Sequence, residues 1–101
     1  MQSMFNNIDR AREVLQGKIV NTPTLKLNGD DLRKILPDNS EVSIKLELFQ
    51  QTGSFKARGV VIGLEYLEKH KKALGIVTVT GGNHGIATAW GASKYSISAK
   101  I

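Results

Sequence analysis

The spacing of hydrophobic residues changes repeatedly along the chain, and these changes predict alternating helices and strands. In Val42–Leu48 apolar residues alternate with polar ones, as in a strand with one buried face. The run Ile76–Val79 is largely β-branched, which favours a buried parallel strand. In order, we predict a helix at about 8–16 capped by Asn6 or Asn7 and ended by Gly17, a strand at 24–27, a helix at 31–36, a strand at 42–48, a helix at about 56–69, a turn at 71–75, a strand at 76–79, a helix at 84–94 and a strand from 97.

The order of these elements predicts the fold class. The second half reads strand, helix, strand, helix, strand, which is typical of an α/β sheet with right-handed crossovers. We therefore predict an α/β protein with an open, mostly parallel sheet and flanking helices. The sequence stops at Ile101 within a predicted strand, so we expect an incomplete part of a longer protein.

Composition narrows the classes of function. The chain is 41% hydrophobic and 23% charged, as in globular proteins. Its net charge is +5, but the basic residues are scattered and no aromatic residues alternate with them, so we predict no nucleic-acid partner. With no cysteine and only two histidines, neither a disulfide nor a metal site is predicted. An apolar run long enough to span a membrane and a signal-peptide core are both missing, so we expect a cytoplasmic protein.

The segment TGSFKARG contains the first candidate for chemistry. It places Lys56 just after a Gly-Ser turn and in the first turn of a predicted helix, which we expect Thr52 or Ser54 to cap through a hydroxyl. The helix dipole, the apolar Phe55 and the nearby cation Arg58 all disfavour an ammonium at this position. A neutral amine attacks carbonyl carbons, so Lys56 is a candidate nucleophile. The alternative is an ordinary solvated lysine.

A second loop, with the sequence TGGNHG, follows the strand at 76–79. Gly81 and Gly82 tolerate positive φ and let backbone N–H groups come close to a ligand, and with the helix N-terminus they suit a carboxylate or phosphate. Asn83 is either a ligand-binding amide or a plain helix cap. His84 is a candidate acid or base, although we expect it mainly to fix the loop. Because ligands of α/β sheets collect at the carboxyl ends of strands, both loops are expected to face one ligand.

Four segments, taken together, resemble a known family. Their order and spacing are similar to the N-terminal part of fold type II (tryptophan synthase β-like) pyridoxal-phosphate enzymes, on the threonine dehydratase and serine racemase branch. The resemblance covers almost the whole chain. The segments are NTPTL at 21–25, KLE at 45–47, TGSFKARG at 52–59 and TGGNHG at 80–85.

The resemblance implies a role for each marked residue. Lys56 matches the lysine that binds pyridoxal phosphate covalently, and Phe55 matches the residue that packs beside this cofactor. Asn83 matches the residue that hydrogen bonds the 3′-oxygen of the pyridine ring. The loop that holds the substrate carboxylate is matched by Thr80, Gly81, Gly82, Asn83 and His84.

The resemblance also implies a domain organisation. Residues 1–74 match the N-terminal segment of the large cofactor domain, and residues 75–101 match the start of the small domain that carries the substrate loop. The phosphate loop of the family and its partner of the pyridine nitrogen lie beyond Ile101. We therefore expect these 101 residues to be inactive alone, and the whole protein to be a homo-oligomer.

The implied activity is that of a threonine or serine dehydratase, which eliminates water from a small hydroxy amino acid and releases a 2-oxo acid and ammonia. Racemases of the branch carry a serine directly after the position of Thr80, where this chain has Gly81. Synthases of the fold carry threonine at the position of His84. Both differences favour the dehydratase. A serine racemase, a β-replacement synthase and a non-catalytic anion-binding α/β module stay open as alternatives.

Overall fold

A computed structural model describes residues 2–101, and the side chains of residues 7–101. Helices and strands alternate as the hydrophobic spacing predicts, although most bounds differ by one to several residues. The elements are α1 Gln2–Leu15, β1 Thr24–Leu27, α2 Asp30–Ile35, β2 Val42–Lys45, a 3-10 turn at Glu47–Phe49, α3 Lys56–Tyr66, α4 Lys69–Leu74, β3 Ile76–Val77, α5 Asn83–Lys94 and β4 Ala99–Lys100.

The four strands form two small sheets. β1 pairs with β2 in antiparallel register, with Leu25 opposite Ile44, and β3 pairs with β4 in parallel register, with Ile76 opposite Ala99. The α/β class is therefore confirmed, and so is the parallel pairing of β3. The buried position predicted for β3 is wrong within the described residues, because this sheet has two strands and leaves Val77 exposed.

The strand predicted at 42–48 is shorter than its alternating pattern suggests. The ladder ends at Lys45, and the backbone N–H of Leu46 donates to the carbonyl oxygen of Pro23 before the chain turns into the 3-10 segment. Leu48, which the alternation assigns to the buried face, is 63% exposed. The turn brings Glu47 toward α3, where it pairs with Arg58.

Two other boundaries also differ from the prediction. α1 begins at Gln2, so neither Asn6 nor Asn7 caps it; the side chain of Asn6 lies outside the described residues. The predicted turn at 71–75 is mostly helical, because α4 continues to Leu74 and ends at Gly75. At Gly75 φ is +83°, and an added Cβ would lie 2.9 Å from the carbonyl oxygen of Ser98, so both conformation and space require glycine there.

The core of the described chain lies between α3 and α5. It is built from small and branched residues, so the two helices approach closely, most of all where Gly91 meets Val60 and Leu64. This packing places the beginnings of both helices beside one another, which is what positions the site. The buried apolar residues are Ala57, Val60, Val61, Leu64, Ala87, Ala92 and Ile97.

The described residues contain no candidate membrane span and no candidate metal cluster. None of their helices combines the length and apolar character needed to cross a membrane. No three histidine, aspartate or glutamate side chains within residues 7–101 meet in an arrangement that suits a metal ion. The division at residue 74 stays a prediction, although α3 and α5 pack directly across it.

Candidate active site

Lys56 is the first residue of α3, as the sequence predicts, but the predicted cap is wrong. The capping position is held by Phe55, whose side chain has no acceptor and whose backbone is already helical, with φ −64° and ψ −11°. The hydroxyl oxygens of Thr52 and Ser54 are instead buried without a hydrogen-bond partner. Two unpartnered polar atoms therefore lie within four residues of the lysine.

Lys56 and His84 line the same cavity, of about 540 Å³, between α3 and α5. The ammonium of Lys56 lies 4.7 Å from the centroid of the Phe55 ring, within the range of a cation–π contact. The structure thus brings together Phe55, Lys56 and His84, three of the residues predicted to form the site. The rest of the wall is Gly59, Val60, Gly63, Leu64, Leu67, Ile76, Val77, Thr78 and Thr88.

The remainder of the second loop does not line this cavity. The N–H of Gly82 donates to the hydroxyl of Thr80 at 3.3 Å, so the loop closes on itself. Gly82, with φ 175°, is extended, and neither Gly81 nor Gly82 uses the positive φ that was expected. A Cβ at either glycine would meet nothing within 4 Å, which leaves room for a ligand beside this backbone. Asn83 is the first residue of α5 and not its cap.

Gly85 has a structural role that the sequence motif alone does not reveal. A Cβ on Gly85 would lie 2.6 Å from Cγ2 of Thr80, so only glycine lets Thr80 fold over the first turn of α5. One turn later, the hydroxyl of Thr88 donates to the carbonyl oxygen of His84 at 2.8 Å. These two contacts hold Thr80 and the backbone of His84 against the first turns of α5.

Glu47 and Arg58 form the strongest electrostatic contact near Lys56. Arg58 donates to both carboxylate oxygens of Glu47, at 2.9 and 2.6 Å, and the hydroxyl of Thr22 donates to the same carboxylate. The hydrogen bond from Arg58 lowers the pKa of Glu47 to about 2, although burial opposes the shift. The same bond raises the pKa of Arg58. Because its charge is balanced by Glu47, Arg58 does not act on Lys56 as an isolated cation, contrary to our expectation.

Gln50 holds the loop that leads to Lys56. Its amide nitrogen donates to the carbonyl oxygen of Val20 at 2.9 Å, and its amide oxygen accepts from the N–H groups of Val20 and Gln51. The side chain is buried, so these bonds are shielded from water. Sequence reasoning gave no role to Gln50 or Glu47; the segment KLE was the only signal, and it pointed to no function.

The cavity fits the cofactor that the resemblance implies. Its volume lies in the range of small-molecule sites, and it offers one amine, at Lys56, for the aldehyde carbon and one aromatic ring, at Phe55, for the pyridine. Gly59 and Gly63 face it without a side chain, and a Cβ on either would meet nothing within 4 Å, so a flat ring has room beside α3. The individual roles of Phe55, Lys56 and Asn83 stay predictions.

Comparison with known proteins identifies the family. Residues 15–101 match the family described as pyridoxal-phosphate dependent enzyme. The phenylserine dehydratase of Ralstonia pickettii is 42% identical over 60 residues, which cover 59% of this chain and 18% of that protein. The serine racemase of Mus musculus is 35% identical over 100 residues, which cover 96% of this chain and 28% of that protein.

A solved structure of a serine racemase is similar to this chain as well. The maize serine racemase structure has a TM-score of 0.77 to this chain at 26% identity, covering 93% of this chain and 28% of that one. The chain therefore spans less than a third of the length of these three relatives. The predicted family resemblance, fold class and cofactor are confirmed, and the chain belongs to the pyridoxal-phosphate dependent enzyme family.

Proposed function

We propose that the full-length protein is an ammonia-lyase that uses pyridoxal phosphate to eliminate water from threonine or serine. The observation that carries the proposal is that Lys56 and His84, from the first turns of α3 and α5, line one cavity. Threonine would yield 2-oxobutanoate and ammonia, and serine would yield pyruvate and ammonia. The amino-acid substrate is a small molecule, and no nucleic acid or membrane enters the proposal.

Residues of this chain would hold one side of the cofactor. The amine of Lys56 would bond its aldehyde carbon, Phe55 would pack beside its ring, and Asn83 would bond its 3′-oxygen. When bound, the cofactor supplies a sink for the electron pair left at the α-carbon of the substrate. The carboxylate of the substrate would lie against the loop of Thr80, Gly81, Gly82, Asn83 and His84, at the N-terminus of α5.

Lys56 would move the proton. When it is not bonded to the cofactor, the amine of Lys56 would accept the α-proton of the substrate. The β-hydroxyl then leaves with a proton as water, and an enamine of the amino acid is released. Addition of water to this enamine and loss of ammonia give the 2-oxo acid, so the net reaction consumes no oxidant and no second substrate. Because Thr80 accepts from Gly82 in this structure, the carboxylate would use the other N–H groups of the loop.

Gly81 supports elimination over racemisation. A racemase needs a second acid on the opposite face of the substrate, and the related racemases carry a serine at this position. Gly81 has no side-chain proton to donate. A second candidate, serine racemase, is supported by the similarity to the mouse and maize racemases. Both activities would use Lys56 to accept the α-proton. Elimination then requires loss of the β-hydroxyl, whereas racemisation requires a proton donor on the opposite face of the α-carbon.

The first experiment replaces Lys56 in the full-length protein. Lys56→Ala is expected to abolish both the visible absorption of the bound cofactor and turnover of threonine. The control is Lys69→Ala, because Lys69 is exposed at the start of α4 and should leave both unchanged. A Lys56→Ala protein that keeps its visible band and its activity would disprove the role of this lysine, and a colourless wild-type protein would favour a non-catalytic module.

The second experiment separates the two enzymatic candidates. L-Serine is incubated with the wild-type full-length protein, and pyruvate and D-serine are measured together over time. Faster formation of pyruvate supports the lyase. D-Serine formed faster than pyruvate supports the racemase and overturns the proposed reaction.

We also propose that the enzyme is a homo-oligomer and that residues 1–74 and 75–101 belong to different domains. The support for oligomer formation is the antiparallel sheet, where the apolar pair Leu25 and Ile44 stays about half exposed among the described residues. Light scattering on the full-length protein tests this directly. A monomer at micromolar concentration would contradict it.

A further inference from the structure

A polar cluster joins the ends of α3 and α5 to the turn that follows α1. Glu65, near the end of α3, accepts a hydrogen bond from the hydroxyl of Tyr95 and pairs with the ammonium of Lys18 at 2.9 Å. The ammonium of Lys94 donates to the carbonyl oxygen of Lys18 at 3.0 Å. From α4, the ammonium of Lys72 lies 5.7 Å from the centroid of the Tyr95 ring. Side chains from three helices and one turn therefore meet at Glu65 and Tyr95.

The protonation states of the cluster keep its central bond in place at neutral pH. Hydrogen bonds from Tyr95 and then Lys18 lower the pKa of Glu65, so its carboxylate stays charged and accepts. Burial, followed by the bond to Glu65, raises the pKa of Tyr95 to about 12, so its hydroxyl stays a donor. Both side chains are partly buried, where such a bond is stronger than it would be in water.

The cavity extends along α3 from Lys56 to Leu67, and its wall does not include Glu65 or Tyr95, which join the ends of α3 and α5. Lys56 and His84, at the beginnings of α3 and α5, line the cavity, whereas Glu65 and Tyr95, at their ends, meet in the cluster. Between the two places α5 contacts α3 closely at Gly91. The two helices therefore run in the same direction, and any change in the angle between them alters both ends.

We propose that Glu65 and Tyr95 are positioning residues for the active site. Their bond sets the angle between α3 and α5, and this angle determines how far Lys56 lies from His84. Neither residue lines the cavity, so they act only through the helices. The expected effect on turnover rests on the proposed function. The affinity for pyridoxal phosphate at Lys56 does not rest on it, and this affinity reports the same geometry.

The experiment removes one hydroxyl from the full-length protein. Tyr95→Phe deletes the donor to Glu65 and keeps the ring, whereas the control Tyr66→Phe alters the neighbouring residue of α3, which is 65% exposed. For each variant we measure the dissociation constant of pyridoxal phosphate, the position of its visible absorption band, KM and kcat for threonine, and the thermal midpoint.

Tyr95→Phe is expected to raise the dissociation constant of pyridoxal phosphate and KM by roughly threefold or more, with a smaller change in kcat, because a contact in one network is worth about this much. Glu65→Met, which removes the acceptor and keeps the length of the side chain, should shift the same two constants in the same direction. The double variant should be no worse than the more damaging single one, since both act through one bond. Tyr66→Phe should match the wild type.

The outcomes distinguish the possible failures. A Tyr95→Phe protein with a lower thermal midpoint but an unchanged dissociation constant, band and KM shows a merely structural role and overturns the inference. A wild-type protein that turns over neither threonine nor serine refutes the proposed function, while a shifted dissociation constant in Tyr95→Phe still supports the inference. Should Tyr95→Phe fail to fold, Glu65→Met decides by the same measurements.

Discussion

Arg58 donates two hydrogen bonds to Glu47, from Nε at 2.9 Å and from Nη2 at 2.6 Å, across 11 residues of sequence. Arg58 lies two residues after Lys56, within the first turn of α3, and Glu47 lies just beyond β2. The pair therefore anchors the first turn of the lysine helix to the antiparallel sheet. Such a bidentate pair has a defined geometry, so it restricts the rotation as well as the position of the helix.

The Glu47–Arg58 pair should make stability depend on acid pH. The folded-state pKa of Glu47 is about 2 and its ordinary value is 4.5, so the pair stabilises the folded state above about pH 4.5 and this contribution is lost as the pH falls toward 2. The loss should be on the order of 2–3 kcal/mol. The measurement is the free energy of urea unfolding of the full-length protein, and of Glu47→Gln, between pH 7 and 3.

The difference between wild type and Glu47→Gln should shrink as the pH falls. Glu41→Gln is the control, because Glu41 pairs with Lys26 on the surface and such pairs contribute only about 0–1 kcal/mol. A difference between wild type and Glu47→Gln that is constant over this pH range would show that the ion pair is not its source.

Gly91 should not tolerate a methyl group. An alanine Cβ there would lie 2.6 Å from Cγ1 of Val60 and 2.9 Å from Cδ1 of Leu64, so α5 must move away from α3. Overpacking of this kind costs about 1–3 kcal/mol of unfolding free energy. Gly63→Ala is the matched control: its Cβ meets nothing within 4 Å, and it should stabilise α3 by about 0.5–1 kcal/mol. Equal thermal midpoints for the two alanine variants would contradict the close contact.

Replacing Ser96 with glycine should stabilise the folded protein. It follows Tyr95, the last residue associated with α5, and has φ +53°, a conformation that costs a non-glycine residue about 1 kcal/mol. Ser96→Gly is therefore expected to raise the free energy of unfolding by roughly that amount, less the entropy that glycine adds to the unfolded chain. Ser93→Gly, within α5, should instead lower it. Denaturant unfolding of both variants checks the prediction, and a destabilised Ser96→Gly would refute it.

Gly81→Ser should change which product forms. The added side chain has space, because a Cβ at Gly81 meets nothing within 4 Å, and its hydroxyl would supply the proton donor that the proposed lyase lacks. The ratio of D-serine to pyruvate formed from L-serine should rise by about tenfold or more, since a positioned acid usually contributes at least that. Gly81→Ala, which adds bulk without a proton, should leave the ratio unchanged. A similar rise in both variants would assign the effect to bulk alone.

The local sequence pattern predicts most of the helices and strands of this fold. It does not predict the long-range contacts that position the candidate site residues. The helical stripe and the Gly-Ser turn placed Lys56 in the first turn of α3, and the strand at 24–27 was predicted with the observed bounds. The strand predicted at 42–48 ends at Lys45, where the chain turns into the 3-10 segment that carries Glu47 to Arg58, and the alternation of apolar and polar residues does not reveal this turn.

The same limit applies to the cluster at the end of α5. Glu65 and Tyr95 lie 30 residues apart in sequence, and their hydrogen bond exists only because α3 and α5 pack together. For this bond the missing information lies in tertiary packing. The predicted hydroxyl cap is wrong for a local reason, because the backbone of Phe55 is already helical and the capping position carries no acceptor.

α5 contacts α3 closely at Gly91, and the two ends of α5 lie at unequal distances from this contact. Gly91 is the ninth residue of the 12-residue helix, eight residues after Asn83 and four before Tyr95. At about 1.5 Å of rise per residue, the distances from Gly91 to Asn83 and to Tyr95 are roughly 12 Å and 6 Å. In a rotation of the rigid helix about Gly91, the sideways displacement of Asn83 would be about twice that of Tyr95. A small displacement at Tyr95 would then become a larger one at the loop where we propose that the substrate carboxylate lies.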